Sequence, residues 1–333
     1  MRVGIDVSPL ALTRAGTARY LTNLLAELER DPELDLRRYS FGGAGRLTRI
    51  ARDTAWYLSA LPRRAKRDRI DVLHCPGLRA PVRSPVPLVV TIHDVAVLRE
   101  PRAFNRWTRA YTRRALPRVA RTARRIIVGS QFTAGEVVEL LRVPEDKVRV
   151  IPYGVGPPFT AEGPAAEGRY VLSVSTLEPR KNLRRLVEAF DAAGLEDHEL
   201  RVVGARGWGG VRVGDGDRVR WLGEVDDEEL SRLYRGAACV AYPSLYEGFG
   251  LPVLEAMACG APVVAPGRPP FTEFAEGIAV WVNPLDTDSI AQGLREAVER
   301  RDELGPLGPA RAARYDWKRA AREHVRVYRE ALL

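Results

Sequence analysis

The segment 242–255 brings two carboxylates, a glycine-rich loop and the start of a helix together in one short stretch of chain. Pro252 suits the first turn of a helix, because its missing N–H costs no hydrogen bond there. The unpaired N–H groups of a helix end attract phosphate, and glycines let the backbone approach it closely. A carboxylate touching a phosphate would repel it, so we expect Glu247 and Glu255 to accept hydrogen bonds from sugar and ribose hydroxyls beside a diphosphate. The alternative is that Glu247 is a solvated loop residue and Glu255 only complements the helix dipole.

Two adjacent cations, Arg180 and Lys181, come directly before a predicted helix that Asn182 would cap. Positive charge opposes the dipole at a helix N-terminus, so the pair is unfavourable unless an anion lies between the two side chains. A bound diphosphate would supply that anion. The competing interpretation is an exposed basic turn without a ligand.

A histidine and a glycine in the first half of the chain also follow predicted strands. His93 ends the apolar run 87–92, where it could donate a hydrogen bond or exchange a proton near neutral pH. A single histidine is more often structural, so its position alone establishes no role. The stretch around Gly16 resembles a phosphate loop only weakly. It has neither the G-x-G-x-x-G nor the Walker pattern, which argues against NAD and P-loop chemistry.

The elements that must position these residues alternate regularly. In the first half, strands are predicted at 2–8, 35–41, 71–75, 87–92, 125–129 and 147–151, and helices at 16–30, 46–60, 103–122 and 133–141. Thr133 and Glu136 have the spacing of a capping box. Apolar strands separated by helices predict a parallel sheet that is covered on both faces.

A proline- and glycine-rich stretch, 157–168, interrupts this alternation and predicts a linker. Beyond it, strands are predicted at 170–175, 199–204, 218–223, 238–243, 261–265 and 279–282, and helices at 182–193, 227–236, 251–259 and 286–300. Asp226 and Glu229 form a second capping box. The last stretch, 317–333, has the pattern of an amphipathic helix, with apolar candidates Ala320, Val325, Val327, Tyr328 and Leu332.

The predicted fold class is therefore α/β, with two Rossmann-like parallel-sheet domains, 1–156 and 169–316, facing a cleft. Ligands of open parallel sheets bind outside the carboxyl ends of the strands. The chemically interesting stretches all follow predicted strands, so they fit this placement.

The composition is that of a globular protein of 333 residues, enough for two domains that each bury a core. No apolar run is long enough to span a bilayer, and the first residues pass into a strand without the plan of a signal peptide. The cysteines Cys75, Cys239 and Cys259 lack metal-site spacing and are predicted to be small buried side chains. We expect a complete cytoplasmic chain.

The net charge of +9 is unevenly distributed. Residues 1–160 hold 29 basic and 15 acidic side chains, a net +14, whereas the remainder holds 23 and 28, a net −5. Arginine-rich segments at 61–69 and 102–125, the second with Trp107 and Tyr111, suit an anionic membrane surface or a lipid-linked phosphate. A solvated basic face is the alternative. A nucleic-acid-binding module is the least favoured reading, because no zinc, helix-turn-helix or RNA-recognition pattern accompanies the charge.

Taken together, the motifs resemble glycosyltransferase family 4. The likeness rests on Glu-Pro-Arg-Lys-Asn at 178–182, the element 247–255, the loop 15–20 and the Ile-His-Asp strand end at 92–94. It extends over nearly the whole chain and implies the GT-B fold. In that fold the first domain, completed by a returning C-terminal helix at 317–333, handles the acceptor, and the second domain binds the nucleotide-sugar donor.

The resemblance also implies residue roles. Arg180 and Lys181 would neutralise the donor diphosphate, Glu247 would bind hydroxyls of the transferred sugar, and His93 would lie near the sugar and the acceptor. Further donor-binding positions are implied at Gly16, Gly248, Phe249, Gly250, Leu251 and Glu255. This chain has a single glycine in the first loop, where many relatives have a pair.

The activity that the resemblance implies is retaining transfer of a hexose from a nucleotide-diphosphate sugar to a glycan or lipid-linked acceptor. No metal or other cofactor is expected, because two cations and a helix dipole would stabilise the leaving group. The motif at 178–182 looks most like bacterial mannosyltransferases of surface-polysaccharide assembly, which favours GDP-mannose. UDP- or dTDP-sugar donors and a nucleotide-sugar epimerase on the same fold are the alternatives. The basic first half adds an expected peripheral association with the inner face of the plasma membrane.

Overall fold

The computed structural model describes residues 1–11, 16–42, 48, 51–210 and 217–333. These residues form two compact units. The first comprises Met1–Gly154 and Trp317–Leu333, and the second comprises Val155–Asp316. Each unit is built on one six-stranded sheet. Residues 151–169 contain neither helix nor strand, as their prolines and glycines predicted.

The sheet of the first unit is entirely parallel, and all six predicted strands are present. They are β1 (Arg2–Asp6), β2 (Asp35–Tyr39), β3 (Val72–Pro76), β4 (Leu88–Thr91), β5 (Arg125–Val128) and β6 (Val148–Val150). Their order is β2-β1-β3-β4-β5-β6, so the direction of winding reverses between β1 and β3. The central strand β4 is buried along its whole length, which explains its uninterrupted apolar sequence.

The helices of the first unit begin with α1 (Gly16–Leu28), α2 (Leu61–Arg67), α3 (Ala96–Arg99), α4 (Arg106–Thr122) and α5 (Gln131–Leu141). The helix predicted at 46–60 is instead a π-helix over Arg52–Ala60, and residues 46, 47, 49 and 50 lie outside the described part. Short 3₁₀ turns occupy Ser8–Ala11, Pro101–Ala103 and Glu145–Lys147.

The sheet of the second unit repeats the parallel plan, again with all six predicted strands. They are β7 (Tyr170–Val174), β8 (Glu199–Val203), β9 (Val219–Gly223), β10 (Cys239–Ala241), β11 (Val263–Pro266) and β12 (Ala279–Val282). The order β12-β11-β10-β7-β8-β9 reverses between β7 and β10.

Helices cover this second sheet. They are α6 (Leu183–Ala192), α7 (Asp227–Gly236), α8 (Leu251–Ala258), α9 (Thr287–Glu299), α10 (Arg301–Leu304) and α11 (Leu307–Ala312). The core under α6 and α9 includes Leu186, Phe190, Ile290 and Leu294, all of which are fully buried. Two further 3₁₀ turns lie at Pro179–Lys181 and Phe271–Glu273.

Helix caps show where local sequence signals succeed and fail. Asp226 caps α7 as predicted, accepting a hydrogen bond from the Glu229 amide at 2.8 Å. The capping box predicted for Thr133 and Glu136 is wrong. Helix α5 begins one turn earlier, where the Ser130 hydroxyl accepts a bond from the Thr133 amide. The Glu136 carboxylate instead pairs with a guanidinium group from α3.

The chain ends in α12 (Trp317–Leu332), which returns to the first unit and packs on α1, β3, β4 and β5. Its predicted apolar face is buried, except that Leu332 is 47% exposed at the last turn. All three cysteines are buried and free, as expected. Within the described ranges, none of the helices is both apolar and long enough to cross a bilayer.

Candidate functional site

The loops that follow β7 and β10 meet where the winding of the second sheet reverses. Loops on either side of such a reversal diverge and leave a crevice, which is the usual ligand site of open parallel sheets. The turn Pro179–Lys181 lies in the first loop, and its Arg180 carbonyl accepts a hydrogen bond from the Leu245 amide at 2.8 Å. This bond docks the two loops on each other and brings their charged side chains together.

A buried four-residue ion cluster forms at this junction. The Glu247 carboxylate lies between the two cations, 3.0 Å from Arg180 Nη1 and 2.6 Å from Lys181 Nζ. A second carboxylate, Glu178, binds Arg180 Nη2 at 2.6 Å. The four side chains are between 3% and 12% exposed. The anion that the sequence required between the two cations is therefore supplied, in the free protein, by the protein itself.

Hydroxyl groups complete the cluster. The Ser244 hydroxyl donates to Glu247 Oε1 at 2.5 Å, and Lys181 Nζ donates to the Tyr242 hydroxyl at 2.6 Å. The same ammonium group lies 5.0 Å from the centre of the Tyr242 ring, a cation–π contact. These neighbours hold the carboxylate and the cations in fixed geometry.

The electrostatics of the cluster follow from burial and pairing. Burial alone would raise the pKa of Glu247, but Arg180 and Lys181, with hydrogen bonds from Lys181 and Ser244, lower it to about 2. Burial lowers the pKa of Lys181 against the opposing effect of Glu247. Burial also raises the pKa of Glu178, against Arg180 and Lys181. The low pKa keeps Glu247 ionised at neutral pH and well below it.

Asn182 follows the cation pair, but it does not cap α6 through its side chain as predicted. The residue has φ of 60° and its amide donates to the carbonyls of Pro243 (3.1 Å) and Pro284 (2.6 Å). It therefore ties the loop after β10 to the loop after β12. Its role is to fix the crevice, and no side-chain hydrogen bond satisfies the first turn of α6.

The loop from Gly248 to Leu251 leads directly into α8. Gly250 has φ of 106°, and a Cβ there would lie 2.7 Å from a ring carbon of Phe271, so both conformation and space require glycine. Phe249 stacks on Phe274 with ring centres 5.3 Å apart. The helix N-terminus is held rigidly beside Glu247, with its dipole favouring an anion at that end.

Glu255 lies one turn further along α8 and is 2% exposed. Its Oε2 accepts a hydrogen bond from the Tyr234 hydroxyl at 3.1 Å. It belongs to the helix that this loop enters and lies eight residues after Glu247 in the sequence. Tyr234 fixes one carboxylate oxygen of Glu255.

His93 belongs to the first unit, where it follows β4 as predicted. Its Nδ1 lies 2.7 Å from the Tyr153 hydroxyl, and the edge of its ring meets Tyr20 with centroids 4.9 Å apart. Its Nε2 is buried and has no hydrogen-bond partner among the residues described. Burial lowers the pKa of His93 to about 4, against an opposing effect of Asp94, so the imidazole is neutral at pH 7.

Gly16 is the first residue of α1 and is exposed. A Cβ there would meet no atom of the described structure within 4 Å, so no close contact among the described residues requires glycine at this position. The preceding residues 12–15, part of the predicted loop, lie outside the described residues.

Sequence reasoning missed Glu178, Ser244 and Tyr242 as parts of the cluster. Glu178 was visible two residues before Arg180, and Ser244 three residues before Glu247. Buried cations require counter-charges, and this rule could have pointed to Glu178. The pairing of Lys181 with Tyr242 depends on how the two loops dock and has no local signal.

The cluster can bind an anion through Arg180, Lys181 and the start of α8, and hydroxyl groups through its carboxylates. Within 1–11, 16–42, 48, 51–210 and 217–333, no three His, Cys, Asp or Glu side chains converge as metal ligands would.

Comparison with known proteins identifies the family. The family model described as Glycosyltransferase Family 4 matches residues 14–157, and the model described as Glycosyl transferases group 1 matches residues 159–324. O-antigen chain mannosyltransferase B of Escherichia coli is 30% identical over 80% of this chain and 77% of its own length. The MMP alpha-(1->4)-mannosyltransferase of Mycolicibacterium hassiacum is 30% identical over 80% and 72%.

A solved structure agrees on the fold. HepE from Anabaena in complex with UDP-glucose superposes with a TM-score of 0.75 at 18% identity, covering 98% of each chain. This likeness and the two six-stranded parallel sheets confirm the GT-B fold. The chain is a hexosyltransferase and belongs to glycosyltransferase family 4.

Proposed function

We propose that the chain transfers a hexose with retention of anomeric configuration, and that the sugar is α-mannose donated by GDP-mannose. The acceptor is a glycan or a lipid-linked acceptor. Support for mannose comes from two relatives at 30% identity that are named as mannosyltransferases. UDP- and dTDP-sugars are the competing donors, and the likeness to a protein bound to UDP-glucose favours including them in any test.

The observation that carries the proposal is the Glu247 carboxylate held between Arg180 and Lys181 at the reversal point of the second sheet. A donor diphosphate carries more negative charge than one carboxylate and would compete for both cations. Binding would then release the Glu247 oxygens to accept hydrogen bonds from hydroxyls of the transferred sugar. The site exchanges one anion for another, so neither the cations nor the carboxylate is left buried and unpaired.

The remaining donor contacts come from α8 and the loop before it. The backbone amides of Gly248 to Leu251 would bind phosphate and sugar oxygens at the positive end of the helix. Glu255 would accept hydrogen bonds from the ribose, with Tyr234 holding its second oxygen in place.

Leaving-group stabilisation is the main catalytic contribution of these residues. As the bond from the anomeric carbon to the diphosphate oxygen breaks, negative charge grows on the diphosphate and positive charge on the sugar ring. Removing one such preorganised donor typically costs about 3 kcal/mol of transition-state stabilisation. We infer that the two cations and the helix terminus perform this task without a metal cofactor.

Retention follows if the acceptor hydroxyl attacks the face that the diphosphate leaves. The new bond joins the acceptor oxygen to the anomeric carbon, and the departing diphosphate oxygen takes the acceptor proton. No external base is required for this balance. His93, neutral at pH 7, would lie near the sugar and the acceptor, as in the family.

Release of nucleotide from a panel of GDP-, UDP-, dTDP- and ADP-sugars tests the proposal. We expect slow hydrolysis of one donor by the wild-type protein and its loss in E247A. A nucleotide-sugar epimerase would instead change the sugar without net release of nucleotide.

The matched control is E188A, which removes an exposed glutamate of α6 that pairs with Arg184. This variant should release nucleotide at the wild-type rate. Equal release by E247A and the wild-type protein would contradict the role proposed for Glu247.

A further inference from the structure

A groove along α4 in the first unit is lined by arginine. It has a volume of about 660 Å³ and is bounded by Pro101, Ala110 and the four side chains Arg106, Arg109, Arg113 and Arg114. We call these four residues the arginine groove. The lining contains no acidic side chain.

The spacing of these residues places them on one face of the helix. Arg106 and Arg109 are three positions apart, and Arg109 and Arg113 are four apart, so their side chains are neighbours on the surface of α4. Like charges at these spacings repel one another and destabilise a helix. This unfavourable arrangement of like charges lies at the lining of a concave surface.

The arginine groove also lacks counter-charges. Within the described part of the chain, none of its four guanidinium groups forms an ion pair or a side-chain hydrogen bond. Other arginines of the first unit do form ion pairs. Arg99 binds Glu136 and Glu139, and Arg79 binds the buried Asp53 at 2.7 Å. The groove is therefore a concentration of cations that the protein itself does not neutralise.

The chemistry of guanidinium identifies the kind of ligand. Its planar fork of N–H donors matches phosphate oxygens in two-point contacts, and several such forks around a concavity favour a phosphate or diphosphate group. Trp107, which follows Arg106 on α4 but is not part of the lining, is half-exposed and is held by its hydrogen bond to Asp53 (3.1 Å) and by stacking on Tyr111.

We propose that the arginine groove binds a phosphate or diphosphate group carried by the acceptor. The assignment to the acceptor rests on the proposed function, because only a transferase has an acceptor to bind. The phosphate could belong to a lipid headgroup in a membrane or to a soluble phosphorylated sugar. Both present the same oxygens to the four arginines.

Calorimetric titration with inorganic pyrophosphate tests the groove directly, using the full chain. We expect two classes of site in the wild-type protein, one at the groove and one at the Arg180 and Lys181 cluster. R109Q/R113Q should weaken the groove class about tenfold or more, since charged hydrogen bonds are lost. K181M should weaken only the other class. If K181M loses pyrophosphate binding and R109Q/R113Q binds like the wild-type protein, the groove is not a phosphate site, whereas the proposed function is unaffected.

A charge-matched control separates local from general electrostatics. R30Q/R326Q removes two exposed arginines of the first unit that form only surface pairs with Glu27 and Glu323. It changes the net charge by the same amount and should leave both classes of site intact. Equal weakening in the control would show that net charge, not the groove, is responsible.

Sedimentation with vesicles identifies the source of the phosphate. Phosphatidylglycerol vesicles are compared with phosphatidylcholine vesicles at low and high salt. Groove-dependent binding to the anionic vesicles assigns a lipid headgroup. Groove-dependent binding of pyrophosphate without vesicle binding assigns a soluble phosphorylated acceptor. Absence of both would overturn the proposal.

Discussion

The two cation clusters of this chain differ in burial and in pairing. Arg180 and Lys181 are 12% and 11% exposed and are compensated by Glu178 and Glu247. The arginine groove of the first unit is open to solvent at Arg106, Arg113 and Arg114, and it has no partners in the described structure. The difference follows from solvation. A buried cation without a counter-charge is severely destabilising, whereas water stabilises an exposed one.

The two clusters would therefore bind an anion in different ways. At the buried cluster, a ligand must replace the bonds that Glu247 already makes, so binding is an exchange between anions. At the arginine groove, a ligand replaces only water and relieves repulsion. We therefore expect the buried cluster to provide specificity and stabilisation of the leaving group, and the groove to provide long-range attraction.

Removing one buried cation should have the largest effect. K181M leaves Glu247 paired with Arg180 alone, and the pKa of Glu247 should rise from about 2 toward its ordinary value. Because a charge that stabilises the leaving group is lost, turnover should fall by about 100-fold or more. Steady-state kinetics with the preferred donor measures this loss.

The control for that variant is K318M, the same substitution at an exposed lysine of α12. It should retain wild-type turnover. Turnover of K181M close to that of the wild-type protein would show that the buried cluster is structural only.

Acidification should destabilise the first unit at a higher pH than the second. The first unit buries a network in which Tyr20 bonds His324 Nε2 (2.7 Å) and Thr91, Thr91 bonds His74, and His74 bonds Tyr328. Burial lowers the pKa of His324 to about 4 and that of His74 well below its ordinary value. Both histidines are therefore neutral in the folded protein and protonate more readily when unfolded.

The difference in pKa between the folded and unfolded states sets the direction in which stability changes with pH. Stability contributed by the neutral histidines is complete above about pH 6.5 and is lost as pH falls toward 4, by up to about 1.4 kcal/mol per pH unit for each. Glu247 has a lowered pKa, so its contribution is lost only as pH falls from about 4.5 toward 2. Hydrogen exchange at pH 7.5 and 5.0 should show β3, β4 and α12 losing protection while β7 and β10 keep it. Equal loss in both sheets would contradict this separation.

Loss of a neutral hydrogen bond in the first unit should lower turnover less than loss of a buried ion pair. In Y153F, His93 Nδ1 loses the hydroxyl 2.7 Å away, and the imidazole is free to change tautomer. We expect turnover to fall about threefold to tenfold, the value of one hydrogen bond. Nitrogen-15 NMR of the four histidines should report a shift of the His93 tautomer.

Y39F is the control, because the Tyr39 hydroxyl donates to Asp68 at a position remote from His93 in the sequence. The His93 resonances should be unchanged in this variant. An unaltered tautomer in Y153F would show that Tyr153 does not position His93.

Salt should produce the smallest effect. Added salt screens exposed charges more than buried ones, with a screening length of about 10 Å at 0.1 M and about 3 Å at 1 M. The KM for a phosphorylated acceptor should therefore rise several-fold with salt, and the KM for the donor should rise less. The opposite order would reverse the contrast drawn between the two clusters.

The fold was largely predictable because its signals are local. The inner strands coincide with apolar runs such as Leu88–Thr91, and parallel strands that are buried on both faces need such runs. The edge strand Asp35–Tyr39 is polar and only partly buried. The predictions differ from the structure where neighbouring residues offer alternative local hydrogen bonds. Ser130, not Thr133, caps the helix Gln131–Leu141, and the described part of the helix predicted at 46–60 is a π-helix.

The site was only partly predictable because its geometry arises between loops. The sequence placed Arg180, Lys181 and Glu247 after strands, and the structure brings them within hydrogen-bonding distance. It gave no sign that Asn182 would bind two distant carbonyls instead of capping α6. Such contacts depend on strand order, which no local pattern encodes.

Calorimetric binding of the donor panel to wild-type protein and K181M decides whether the buried cluster is the donor site. One nucleotide sugar should bind the wild-type protein, and K181M should weaken its binding at least about tenfold, with K318M unchanged. Binding of that donor with equal affinity to wild type and K181M, or binding of none of the donors, would contradict the assignment of the buried cluster as the donor site.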